Sequence, residues 1–167
     1  MKHATLVNVG LFQATWFACV LGGPFWGAAG LGLMFGFSWR AQSLAVDATS
    51  AGIAAVIGLC LDTLWIQAGV LDFFDSAVAP LWIIMLWVGV GLSVNHGLAY
   101  FKDRALLGGL LAGVAAPICY LSGESLGAVG VPNVALLGVV AVTWFVVFWL
   151  GFSVSGVRRM GLSDVDI

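Results

Sequence analysis

Apolar residues run along this chain in six long stretches, 5–22, 24–39, 49–70, 78–100, 105–123 and 132–154, separated by brief polar breaks. An α-helix rises 1.5 Å per residue and needs about 20 residues to cross ~30 Å of hydrocarbon, so each stretch has the length of a membrane span. Lipid tails are as apolar as leucine, and helices in a bilayer therefore associate where small residues let backbones approach. Such residues recur at four-residue spacing as Ala28/Gly32/Gly36, Gly89/Ser93/Gly97 and Gly109/Gly113. The short Lys102-Asp103-Arg104 break makes the fourth and fifth stretches antiparallel neighbours, and their two glycine stripes are expected to face each other. In the third stretch Ala51, Ala55, Gly58, Asp62, Trp65 and Gly69 follow one helical face, which points Asp62 at other helices.

Charge then orients the spans. Lys2, Arg40, Lys102, Arg104, Arg158 and Arg159 occupy the N-terminus, the second and fourth breaks and the C-terminal tail, while the other breaks hold Asp72, Asp75 and Glu124. Basic residues mark the cytoplasmic side in short loops, so both termini are expected inside. With 62% hydrophobic and 8% charged residues and a mean hydropathy of +1.09, no stretch is left over for a soluble domain. The expectation is an all-α integral membrane protein, a compact six-transmembrane-helix bundle, N-in and C-in, with residues 1–167 as one transmembrane domain. The first stretch has the shape of a signal sequence, but Trp16 stands three before Cys19 and no small-x-small site precedes Leu21, so it is expected to be retained. Six scattered juxtamembrane cations give no surface for nucleic acid.

Trp26, Trp65 and Trp82 near one set of span ends and Trp39 and Trp149 near the other fit interfacial aromatic belts. Trp16, Trp87 and Trp144 lie near mid-span, and Thr15-Trp16-Phe17 is echoed by Thr143-Trp144-Phe145. Cys19, Cys60 and Cys119 all fall within spans, where they read as small packing residues.

An intramembrane carboxylate costs about 2.5–3.5 kcal/mol on insertion scales and is by default a functional candidate. Asp62 counts out close to mid-span, in a layer with Gln13, Thr63 and Thr143, with Trp87 at matching depth. Its competing role is structural: a neutral acid hydrogen-bonded to Gln13 or to a carbonyl freed by Pro117. His96, beside Asn95, lies roughly 14 Å in depth from Asp62 and forms a possible second polar site, read first as an interhelical hydrogen bond. Tyr120 and Glu124 stand at the outer mouth of the fifth span. A metal centre is not expected, because the spans hold a single His and there is no CxxC or HExxH. Glycines inside apolar helices are not phosphate loops, so no cofactor is expected.

Gly58-Leu59-Cys60-Leu61-Asp62, Ala79-Pro80-Leu81-Trp82 with Leu86-Trp87, Asn95-His96, and Pro117-x-x-Tyr120-x-x-Gly123-x-x-Leu126-Gly127-Ala128 occur in that order. In this the chain, from Phe12 to about Val129, resembles a bacterial inner-membrane family catalogued as domain of unknown function 2878. The resemblance implies a small multi-pass protein of the bacterial cytoplasmic membrane and supplies no activity. The residues add an expected ligand site, with Asp62 binding a small or lipidic ligand and Trp87, Tyr120, Gln13 and Glu124 lining the cavity. Membrane lipids are then the first partners, with other membrane subunits or a second copy of the chain as further ones. The alternatives are an assembly subunit of a larger membrane complex and, behind it, a lipid-modifying enzyme, for which no nucleophile stands out.

Overall fold

The computed structural model describes residues 2–74 and 76–163, so Asp75 lies outside the described residues. Among the described residues five α-helices follow one another: α1 Lys2–Arg40, α2 Leu44–Gln67, α3 Leu81–Ser93, α4 Ala105–Ser125 and α5 Leu137–Ser163, with short 3-10 turns at Ala99–Asp103 and Val134–Leu136. Four of them, α1, α2, α4 and α5, are long and apolar enough to cross a membrane, and α3 is a shorter apolar helix. Their outward faces carry residues such as Leu33, Val56, Leu64, Val114 and Val142, all more than half exposed. A surface this apolar is stable against hydrocarbon and not against water, which makes this a membrane protein.

The first two stretches form two helical arms of α1, joined at a sharp kink. Gly23 takes φ 68 and ψ −162, a conformation open only to glycine, and Pro24 follows, whose missing N–H costs nothing at the start of a new helical arm. A straight helix would hold Thr15 and Gly30 about 22 Å apart. Instead a Cβ on Gly30 would stand 2.6 Å from the Thr15 hydroxyl, and one on Gly27 would stand 2.6 Å from Cys19 Sγ. The arms 2–22 and 24–40 therefore double back on each other.

The chain divides into two units, Met1–Ala99 with Gly123–Pro132 and Tyr100–Ser122 with Asn133–Ile167. In the first unit α3 packs on both α1 and α2. Leu31, Met34, Ala51 and Leu92 form its core, with Leu11, Phe12 and Met85 against them. Two glycines set the α2–α3 seam. A Cβ on Gly91 would collide with the backbone of Ser50 and Ala51, and a Cβ on Gly58 would collide with the Trp87 indole. Beyond α2, left-handed Gly69 turns the chain into a segment pinned by paired backbone hydrogen bonds between Asp72 and Gly130.

In the second unit α4 lies along α5. Gly109 meets the Phe145 carbonyl and Trp149, Gly113 meets the Ala141 carbonyl and Phe145, and Phe145 stacks on Trp149 at 6.0 Å. The expectation that the Gly109/Gly113 and Gly89/Ser93/Gly97 stripes face each other is therefore corrected. Gly89 packs on the Phe12 ring and Gly97 on Asn8 and Val9, all from α1, while the Ser93 hydroxyl turns back to the Gly89 carbonyl. Adjacency in sequence decided that expectation, whereas the large rings of Phe12 and Phe145 decide the packing. The Thr-Trp-Phe echo is likewise used in two ways, since Thr15 is buried in one copy and Trp144 in the other.

The fourth stretch also departs from a simple span. Helix α3 ends at Ser93, and residues 94–98 form turns in which Leu98 N–H returns to the Ser93 carbonyl. The polar sequence Asn95-His96-Gly97 leaves the helix because its side chains and backbone are held by partners on α1 and α2.

Candidate functional site

The buried residues of α2 are Asp47, Ala51, Gly58, Asp62 and Trp65, one face turned toward α3. It carries two carboxylates, both fully buried, 15 positions and hence about 22 Å apart along the helix. Each is met by side chains from α3 or the turns after it.

At Asp62 the partner is Trp87. Its indole lies across Gly58, one turn before the acid, and Nε1–H donates to Asp62 Oδ2 at 2.6 Å. The absent side chain at position 58 is what lets a flat ring reach the carboxylate. Helix α2 starts at Leu44 and ends at Gln67, which sets Asp62 about 10 Å from its midpoint, farther along than a span over 49–70 implies.

At the other end three side chains converge on Asp47. Asn95 Nδ2 donates to Oδ1 at 2.7 Å, Ser43 Oγ donates to Oδ2 at 2.6 Å, and His96 Nε2 lies 2.7 Å from the same Oδ2. Ser43 Oγ is also 3.1 Å from His96 Nε2, and the Phe37 ring meets the imidazole edge-on at 5.0 Å. Around this cluster stand two fully buried polar side chains from α1, Asn8 and Ser38. Asn8 Oδ1 accepts from Gly97 N–H at 3.0 Å, while its Nδ2 and the Ser38 hydroxyl have no hydrogen-bond partner.

Serine, histidine and aspartate together invite a hydrolase reading, which the geometry excludes. A catalytic imidazole takes the serine proton on one nitrogen and is held by the acid on the other. Here both Ser43 Oγ and Asp47 Oδ2 approach Nε2, and the serine donates to the acid directly.

Among the residues singled out from the sequence, Asp62 and Trp87 come together, and Asn95 and His96 come together at Asp47. Gln13 is exposed on α1, and Thr63 accepts from Ala79 N–H at 3.1 Å. The exposed Glu124 accepts from Val131 N–H at 2.8 Å, which ties its carboxylate to the following loop. Tyr120 is buried in α4, within the second unit. The cysteines are free, Cys19 buried and the other two exposed.

Asp47 falls in the polar break between the stretches 24–39 and 49–70, outside any span drawn from the sequence. One step of four residues back from Ala51 along the same stripe reaches it, and Ser43 lies a further four back.

A family model described as a protein of unknown function, DUF2878, matches residues 5–150. The chain belongs to the DUF2878 family. Neither a curated protein nor a solved structure matches it. The match takes in both carboxylates, Trp87, Asn95 and His96, so the α2–α3 seam lies wholly within the DUF2878 region.

Proposed function

We propose that this DUF2878 protein is a multi-pass protein of the bacterial inner membrane that binds or carries a small or lipidic ligand at an outward-facing site around Asp62. The observation that carries the reading is a fully buried carboxylate on an apolar helix, gripped by an indole seated on a glycine. Burial of an acid among apolar side chains is expensive, and intramembrane acids mark ligand and ion pathways more often than they serve as packing. The Trp87 indole would suit a lipidic or amphipathic molecule, with Asp62 as the polar anchor.

Asp62→Asn is the direct test, because the amide oxygen still accepts from Trp87 while the acid is lost. The variant is expected to keep the wild-type melting temperature and to lose the small or lipidic molecule that wild type retains when native mass spectrometry is run on protein from its own membrane. Identical retention by both proteins would move the reading to the alternative, an assembly subunit. That alternative has its own support in the open face of the second α1 arm, where Cβ atoms on Gly32 and Gly36 would meet nothing.

The same proposal takes the two arms of α1, α2, the stretch through α3 and its following turns, α4 and α5 as six spans with both termini cytoplasmic. The 21 residues of 2–22 and the 17 of 24–40 are about 31 and 25 Å long, each close to a bilayer core. In a cysteine-free background, a cysteine at Lys102 is expected to resist a membrane-impermeant maleimide in intact cells, and one at Asp75 to react. Labelling at Lys102 from outside would overturn the six-span topology.

A further inference from the structure

We propose that Ser43, Asp47, Asn95 and His96 form a second site, distinct from Asp62, that binds one proton through His96 Nδ1. The inference rests on where the hydrogens of the cluster must lie. Asp47 Oδ2 already accepts the Ser43 hydroxyl at 2.6 Å, so a carboxylate there can meet an imidazole nitrogen at 2.7 Å only if that nitrogen carries a proton. With Asp47 ionised, neutral His96 is therefore the Nε2–H tautomer, and its lone pair is on Nδ1.

Nδ1 makes no hydrogen bond to a described residue, and the side chain is 13% exposed against 0% for Asp47. The imidazole thus reaches the surface of its unit and the acid does not. A proton taken up at Nδ1 converts a buried net charge of −1 into a neutral ion pair already in hydrogen-bond contact. Moving that proton along the short Nε2–Oδ2 contact leaves the total unchanged. A second proton would leave a net positive charge in the same low-dielectric surroundings, which limits the site to one.

Among the described residues that bond to His96 or stack on it, Asp47 carries the only charge. From α1 come the Phe37 ring and, nearby, the neutral Asn8 and Ser38, from the residue before α2 Ser43, from α2 Asp47, and from its own segment Asn95. The same arrangement disfavours a metal ion. Asp47 is surrounded by N–H and O–H donors, whose hydrogens point at the space a cation would need. Asn8 Nδ2 and the Ser38 hydroxyl, buried beside this cluster, add two further polar groups to its surroundings.

The chain has two histidines, and His3 is exposed near the N-terminus, so His3→Gln leaves a single imidazole to observe. In that protein, labelled with nitrogen-15 histidine and held in lipid nanodiscs, the Nε2–H tautomer is expected at high pH. The spectra are followed from about pH 9 down to about pH 5, and any proton taken up is expected at Nδ1. Potentiometric titration should show about one proton more per chain than His96→Gln takes up over the same range. Asp47→Asn should move the neutral tautomer toward Nδ1–H, since an amide N–H can then donate to Nε2. A neutral Nδ1–H tautomer in the parent protein, or an imidazole that does not titrate in that range, would overturn the proposal whether or not the Asp47 variant folds. The parent measurement leaves Asp62 untouched, so its failure and that of the ligand reading are separate results.

Discussion

Gly91→Ala is expected to lower the melting temperature of the detergent-solubilised protein more than alanine at any exposed glycine, for example Gly52. The added methyl at position 91 would stand against the Ala51 Cα, the Ala51 nitrogen and the Ser50 carbonyl, all of them backbone. A side chain in that position can rotate away, but a helix backbone cannot, so α2 and α3 must separate. Overpacking in a filled core costs typically 1–3 kcal/mol, and the upper part of that range applies where the obstacle is rigid. Separation also reaches both polar sites, since Trp87 and Asn95-His96 are carried by the same element and its following turn. Gly52, by contrast, has open space where its Cβ would lie. Equal melting of the two variants would show that α2 and α3 do not approach as closely as the seam requires.

That seam was partly legible before any coordinates. The small-residue rhythm of the third stretch places Ala51, Ala55, Gly58, Asp62, Trp65 and Gly69 on one face; α2 buries Ala51, Gly58, Asp62 and Trp65 together with Asp47, while Ala55 is half-buried and Gly69 lies beyond the helix end. The match in depth put Trp87 beside Asp62, because counting residues at a fixed rise is reliable within a helix. Counting fails at helix ends. A span drawn to exclude polar residues began at 49, which hid Asp47 and shifted the estimated position of Asp62. Gln13 was grouped with Asp62 on depth alone, and depth says nothing about which way a residue faces; Gln13 is exposed. The Gly23-Pro24 reversal, in contrast, was marked by its residues, since glycine supplies the positive φ and proline starts the next arm. Partner choice between helices was the least legible feature. Gly109 and Gly113 say that something comes close, while Phe145 and Ala141, far off in sequence, say what it is.

Asp47→Ala is the substitution with the largest expected effect. It removes the acceptor shared by Ser43 Oγ, Asn95 Nδ2 and His96 Nε2 in one step, inside a cluster where the acid itself has no exposure. A buried polar group left without its partner costs about 1–3 kcal/mol, and three such groups are stranded here together. The first turn of α2 loses a favourable charge as well, worth about 0.3–1 kcal/mol at a helix N-terminus. Asn8 Nδ2 and the Ser38 hydroxyl already lack partners nearby, so the neighbourhood has no spare acceptor to offer. Asp47→Asn keeps the shape and one carbonyl oxygen, which can still accept from Asn95, and is expected to recover more than half of the loss. Thermal melts of both variants in nanodiscs check the ordering, with the Asn protein melting between wild type and the Ala protein. If Asp47→Ala melts with wild type, Asn95 and His96 are held by something other than this acid, and the convergence of α1, α2 and α3 on Asp47 is not what fixes that end of the unit.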